Sequence, residues 1–440
     1  MPPAIDVTGA APGPARLRGM IRDVGTLMRG TLVAQGLGLL LLPILSRLYT
    51  PASFGAFGFY QAAILLLTVI ACMRYDQAIL TAKDEREAVA LFQLCLVVGL
   101  AMAALLLVPI ALVDAAGLER ALSGALSPYW LVPGMLVSGW TLAANAALTR
   151  LGDFKGAAAS KMAQAGANSA ASLAVGLAVP GGGPGLVLAD QLSKLAATAV
   201  AVARLPGGIA PLFRVDPAAL VELARRFGDF PRLSVLGGLL NNGGSFLTPA
   251  LVYWLYGADT AGQFALVDRT ISLPLALIIV TFSQAFSSHY ARLLREDARA
   301  AKPYFAALVR MAALAGLAPM LLGLVLSPYA FPLVFGAQWQ EAGIFAQLLA
   351  VMYYSALVVG PVNTALIVAG RLRWQLGWEF VRLVLLVAMW VGVIGLGLGP
   401  LWALGGYAAV SVLVNFAYIW LAWTQLRRAV GAIDMFGERR

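Results

Sequence analysis

Two charged pairs stand inside apolar runs. Asp268 and Arg269 are adjacent in the run 261–288, and Asp190 and Lys194 lie four apart in the run 185–204. A cation held at the middle of a membrane-length helix costs about 2.5–3.5 kcal/mol on insertion scales, so its retention points to a role. For arginine that role is anion binding, because its planar fork offers paired donors matching phosphate oxygens. Neighbouring helix residues diverge by about 100°, so Asp268 does not naturally neutralise Arg269. That leaves Arg269 for a ligand or for a carboxylate on another helix. Asp190 and Lys194 share a helix face, so a closed intrahelical pair competes with a binding role for Lys194. Arg47, Arg29 and Arg74 sit near the ends of apolar runs and are lesser candidates for an anionic ligand. Arg74 with Asp76 also suits a cap or interface, Arg47 a headgroup anchor, and Arg382 with Glu379 an intrahelical pair.

Other chemistry finds little footing. His289 is the only histidine, and Cys72 and Cys95 form no CxxC or Cys/His cluster, so neither a metal site nor a disulfide framework is expected. No GxxxxGK[ST] occurs, and the glycine cluster Gly181–Gly185 lacks its lysine, so no nucleotide site and no cofactor are expected. An enzyme of the membrane surface would need catalytic groups in sizeable loops. The longest candidate, 113–127, carries only Asp114, Glu119 and Arg120 as charged residues.

The elements that must position these charges are membrane-spanning helices. Hydrophobic residues make up 60% of the 440 positions and charged residues 12%, far from soluble composition. A crossing takes roughly 20 apolar residues. Apolar runs bounded by charge or turn residues predict twelve: 26–48, 55–80, 88–112, 128–149, 160–180, 185–204, 232–255, 261–288, 303–327, 341–369, 375–398 and 401–424. The cations test this map. Of 31 Lys and Arg, Lys194, Arg269 and Arg310 fall within runs and only Arg47 and Arg120 on one side, leaving 26 on the other. That asymmetry supports an even number of crossings with both termini cytoplasmic. It also explains the net charge of +10 without nucleic acid.

The predicted organisation is a disordered cytoplasmic tail (1–25), a six-helix bundle (26–204), a linker (205–231), a second six-helix bundle (232–424) and a tail (425–440). In the linker, DPAALVELARRF (216–227) is amphipathic and reads as a helix lying on the inner leaflet. The halves share a pattern. Leu48-Tyr49 precedes Gly55-x-Phe57, and Leu255-Tyr256 precedes Gly262-x-Phe264, at an offset of 207. An echo follows Phe335-Gly336 at Ala342-Gly343-Ile344-Phe345. Six crossings separate the first two copies, which makes the repeat parallel, as in transporters that rock two halves about a central site. Prolines within runs (Pro43, Pro109, Pro133, Pro249, Pro274, Pro319, Pro361) suit helices whose freed carbonyls meet protein or a wet cavity.

Several stretches resemble one family. SRLYTPASFGAF (46–57), RYDQAIL (74–80), FGDFPRLSVLGGLLN (227–241), AGQFALVDRTISLPL (261–275) and FGAQWQEAG (335–343) are similar to bacterial polysaccharide-biosynthesis flippases of the Wzx type, within the MATE-like superfamily of drug, oligosaccharidyl-lipid and polysaccharide exporters. The resemblance implies two six-helix bundles around a central cavity. It implies export of undecaprenyl-diphosphate-linked sugar units for O-antigen, capsule or exopolysaccharide, alongside a polysaccharide polymerase and glycosyltransferases. Arg269, Lys194, Arg47, Arg29 and Arg74 would then meet the diphosphate, with Asp190 and Asp268 as coupling or pairing groups. Gln35, Asn145, Asn241, Asn242, Gln263, Gln284, Asn363 and Asn415 would meet sugar or, more commonly for such residues, bond between helices. A cation-coupled drug antiporter of the same fold is the competing reading. It calls for an unpaired carboxylate facing the cavity, whereas the acids here stand beside cations in the sequence.

Overall fold

The computed structural model describes residues 35–116, 126–179, 181, 184–206, 208, 216–296 and 298–437. The chain is helical along almost all of these. In order come α1 (Gln35–Leu48), α2 (Pro51–Ala71), α3 (Tyr75–Ile79), α4 (Glu85–Ala115), α5 (Leu131–Arg150), α6 (Phe154–Ala178) and α7 (Gly185–Ala203). There follow α8 (Pro217–Arg226), α9 (Val235–Glu296), α10 (Ala298–Phe335), α11 (Gln340–Val359), α12 (Ala365–Val368), α13 (Leu372–Gly395) and α14 (Pro400–Gly437).

Local chemistry explains the helix starts. Thr50 caps α2 by accepting from the Ser53 amide, with Pro51 at the first helical position. Asp84 caps α4 by accepting from the Glu87 amide, and the Glu87 carboxylate reaches back to accept from the amide of Lys83, the residue before the cap. Asp153 and Asp216 cap α6 and α8. Within α9 the helical path breaks at Gly257, whose φ of 85° suits glycine, and the chain reverses there into two arms, 235–256 and 258–296. Gly257 lies 207 residues after Thr50, the turn between α1 and α2.

Nine helices among the described residues are long and apolar enough to cross a membrane. One of them, Asn242–Glu296, contains the Gly257 reversal and so supplies two crossings. Gln35–Leu48 is the described part of the first crossing, and Phe154–Ala178 is long enough for another. The crossings therefore agree with the twelve predicted. Differences are at ends: α10 begins at Ala298, and α14 continues to Gly437 through residues predicted as a tail. The predicted tail 1–25 lies outside the described residues.

Contacts between connections establish the alternation. On one face, poor in cations, Tyr49 bridges to Gly181, Arg47 reaches Val334 and Tyr256 reaches Leu398. On the other, rich in cations, Arg150 reaches Ala82 and Arg226 pairs with Glu87, holding the amphipathic α8 against α4. The core divides along the same axis. Near the cation-rich face there are two separate clusters. One is built from the first half (Cys72, Tyr75, Phe92, Cys95, Leu148) and one from the second (Phe286, Tyr290, Phe305, Tyr418). Towards the cation-poor face a single cluster mixes both halves, including Tyr49, Phe54, Tyr60, Phe264, Phe331 and Trp339. The halves are thus fused at one face and have cores of their own at the other.

The repeated glycines make that fusion tight. A Cβ at Gly55 would meet the Ala258 carbonyl, and one at Gly262 the Pro51 carbonyl. Each contact is the other shifted by 207 residues, so α2 and the second arm of α9 cross on a pseudo-two-fold axis.

Candidate functional site: a charged passage between the halves

The second arm of α9 carries Asp268 and Arg269 between the halves, and α7 carries Asp190 and Lys194 opposite. Lys194 Nζ lies 2.7 Å from Asp190 Oδ2, both side chains nearly buried. Tyr60 donates to the same oxygen at 3.2 Å, and Gln61 donates to Oδ1 at 3.3 Å. Asp190 is therefore held by three donors from two helices. Lys194, predicted among the ligand-binding cations, is instead closed into this network, because the i, i+4 spacing brings its amine onto the carboxylate.

Arg269 behaves differently. Its guanidinium stands over the Phe57 ring of the opposite half, 5.3 Å from the centroid. Asp190 acts on it through space, beyond ion-pair distance. Among the described residues it forms no ion pair, so its fork keeps donors for an incoming anion. Asp268 points away, as adjacency on a helix requires: its Oδ1 accepts from Ser272 at 2.7 Å and from Tyr353 at 3.1 Å. The side chain is exposed, and both of its hydroxyl partners come from the second half. An accessible carboxylate on α9, one residue from the arginine that faces the opposite half, marks this stretch as the candidate site. The reading that in-span acids sit beside cations fails for Asp268, whose partners are hydroxyl groups.

The remaining predicted cations lie elsewhere. Arg47 donates to the Val334 carbonyl at 3.2 Å on the cation-poor surface. Arg74 adopts a left-handed backbone (φ 63°) ahead of α3, and its guanidinium packs so closely on Gly238 of the other half that a Cβ there would collide with it. Both therefore contact the opposite half of the chain. Arg29 lies outside the described residues. Arg382 pairs with Glu379 at 3.4 Å, as their spacing predicts.

Half of the neutral polar candidates tie helices together. Asn242 donates to the Leu65 carbonyl, Asn415 to Ser355, and Asn363 accepts from Ser283. Gln263 donates to the Gln338 carbonyl and accepts from the Ala342 amide. Asn145 donates within its own helix, Gln284 is exposed, and one buried oxygen of Gln35 lacks a partner. The side chain of Asn241 is not among the described residues. Phe57, Tyr60, Gln61, Ser272 and Tyr353 complete the site, and the sequence reading had not singled them out for it. Only Phe57 carried a signal, as the last residue of the repeated motif.

Two six-helix halves of membrane-length helices, fused at one face, form the MATE fold. A multidrug resistance MATE family transporter of the MOP superfamily, solved in an inward-facing conformation, superposes with a TM-score of 0.66 at 15% identity, covering 90% of this chain and 96% of that one. A MOP superfamily transporter from Pyrococcus furiosus, described as having a binding pocket of reverse polarity, gives 0.53 at 15% identity, over 92% and 96%. A MATE transporter in complex with MaD3S gives 0.52 at 16%, over 93% and 96%. At these identities the likeness is one of fold. No curated protein sequence matches the chain. The sequence itself goes further: residues 44–344 match the family model described as polysaccharide biosynthesis protein, and the chain belongs to that family.

Proposed function

We propose that this protein is a flippase that carries an undecaprenyl-diphosphate-linked oligosaccharide unit from the cytoplasmic to the outer leaflet of the bacterial inner membrane. On this reading the cation-rich face is cytoplasmic. The observation that carries the proposal is Arg269: an arginine within a membrane-length helix, set against Phe57 of the opposite half, that forms no ion pair among the described residues. A diphosphate cannot enter hydrocarbon without such a partner, and Arg suits it better than Lys because two donors can meet two phosphate oxygens. The prenyl tail stays in lipid while the headgroup takes the wet route. Export of two negative charges through an inside-negative potential of 100 mV gains roughly 5 kcal/mol, enough to drive the step without nucleotide. The test is a reconstituted vesicle assay with a fluorescent lipid-linked oligosaccharide, read by quenching from outside. Flipping that rises with imposed voltage supports the proposal. Flipping no faster than in empty vesicles ends it.

A specific observation also favours cation coupling. Asp268 is accessible, has no cationic partner among the described residues, and is flanked by the hydroxyls of Ser272 and Tyr353. It is the acid placed to exchange a proton or Na⁺ with the passage, whereas Asp190 is committed to Lys194. Asp268→Asn is expected to abolish any dependence of transport on a pH or Na⁺ gradient while leaving the voltage response. Gradient dependence that survives the substitution removes Asp268 from this role.

A further inference from the structure

The halves of this structure are joined at the cation-poor face by more than helix packing. The chain between α10 and α11 turns at Gly336, whose φ of 113° suits glycine, and lays Gln338 and Trp339 onto the end of α1 in the opposite half. The Trp339 indole is fully buried and donates to the Ser46 carbonyl at 2.8 Å. Gln338 Nε2 donates to the same carbonyl at 2.6 Å and faces the Tyr49 carbonyl at 3.4 Å. The exchange runs both ways, for the Ser46 hydroxyl donates to the Phe335 carbonyl at 3.0 Å and Arg47 donates to Val334. Trp339 also meets Phe54 of α2 edge-on, with centroids 5.1 Å apart. Gln263 on the second arm of α9 holds Gln338 in place through its carbonyl.

The chemistry of these bonds is that of a reversible contact. Ser46 and Tyr49 end α1, and the last carbonyls of a helix have no partner within it. They take donors from Gln338 and Trp339 while the halves touch, and can take water once the halves part at the membrane surface. Nothing is left orphaned in hydrocarbon in either state. A permanent bundle contact would not need to be satisfied twice.

We infer that the segment Phe335–Trp339 is a latch that holds the outer mouth of the passage shut by docking on Ser46–Tyr49, and that it releases whenever the passage opens outward. The inference rests on the proposed transport by two rocking halves. The latch is separate from the charged passage, so its removal shifts the closed–open balance without touching Arg269.

The experiment places a reporter cysteine at Ala261, buried beside the Gly55–Gly262 crossing, and labels it from outside with a membrane-impermeant thiosulfonate; the parent, whose Cys72 and Cys95 are buried, is the blank. Trp339→Phe keeps the ring against Phe54 and removes the donor. It is expected to raise labelling about fivefold to tenfold, the loss of one buried hydrogen bond from the closed state. Gln338→Ala is a second, milder variant should Trp339→Phe fold poorly. Unchanged labelling in both overturns the latch. In the complementary arm, Ser46→Cys with Gln338→Cys is joined by a short cleavable bifunctional thiol reagent. Transport should stop on joining and return on cleavage, and undiminished transport by the joined protein also overturns it. If the reporter protein moves no lipid-linked oligosaccharide at all, the substrate assignment fails, while the labelling result still judges the latch.

Discussion

Arg269→Ala is expected to lower flipping of a lipid-linked oligosaccharide about ten- to hundredfold while the protein inserts and folds as before. The magnitude is that of a hydrogen bond to a charged group, about 1.5–3 kcal/mol, removed from a bound diphosphate. Folding should be spared because the guanidinium pairs with no carboxylate among the described residues and meets protein chiefly through the Phe57 ring. Removing it strands no buried partner. Arg269→Lys keeps the charge but loses the fork, and should retain an intermediate rate. Reconstituted flipping at matched protein amounts, with a detergent melting curve for each variant, checks both halves of the expectation. Full activity of Arg269→Ala removes the residue from cargo binding. A collapsed melting curve instead assigns it a structural role.

The second large effect is structural and falls on the opposite wall. Asp190→Ala should strongly destabilise the protein, because it leaves the Lys194 ammonium nearly buried with no counter-charge and deprives Tyr60 and Gln61 of their acceptor. Breaking a buried ion pair from one side costs about 3–5 kcal/mol. Replacing both members with apolar residues of similar size removes the stranded charge, so Asp190→Leu with Lys194→Met should melt close to the parent. The comparison of single and double variants isolates the pair. A double variant as unstable as Asp190→Ala would mean that Asp190 matters through Tyr60 and Gln61 instead. The outcome also bears on transport. If the pair is structural, the double variant still flips cargo, and Arg269 is left as the cation of the passage.

How far the sequence carried is clearest at individual residues. The crossings were legible because a helix in lipid must satisfy its own backbone and stay apolar for its whole length, a signal spread over some twenty residues. The reversal at Gly257 was legible through the offset of 207, and α8 through its amphipathic spacing. The Asp190–Lys194 pair followed from i, i+4 geometry, and the divergence of Asp268 from Arg269 from helix rotation. Contacts between distant helices were not legible. Tyr353 meets Asp268 across 85 residues and Trp339 meets Ser46 across 293, and no local rule links them. For that reason the sequence named Asp268 as a coupling or pairing group without its Tyr353 partner, and Gln263 as a sugar or inter-helix group without its bonds to Gln338 and Ala342. For Arg47 and Arg74 the sequence offered an anchor and an interface reading, but their partners Val334 and Gly238 in the other half were beyond any local rule.

The account depends on a headgroup phosphate reaching the guanidinium on α9. The most direct measurement is an electron cryo-microscopy structure of the protein in lipid nanodiscs with an undecaprenyl-diphosphate-linked oligosaccharide bound. It should show Arg269 turned from Phe57 with phosphate oxygens about 3 Å from its nitrogens. A bound lipid whose phosphates stay at the membrane surface, with Arg269 still resting on Phe57, would contradict it.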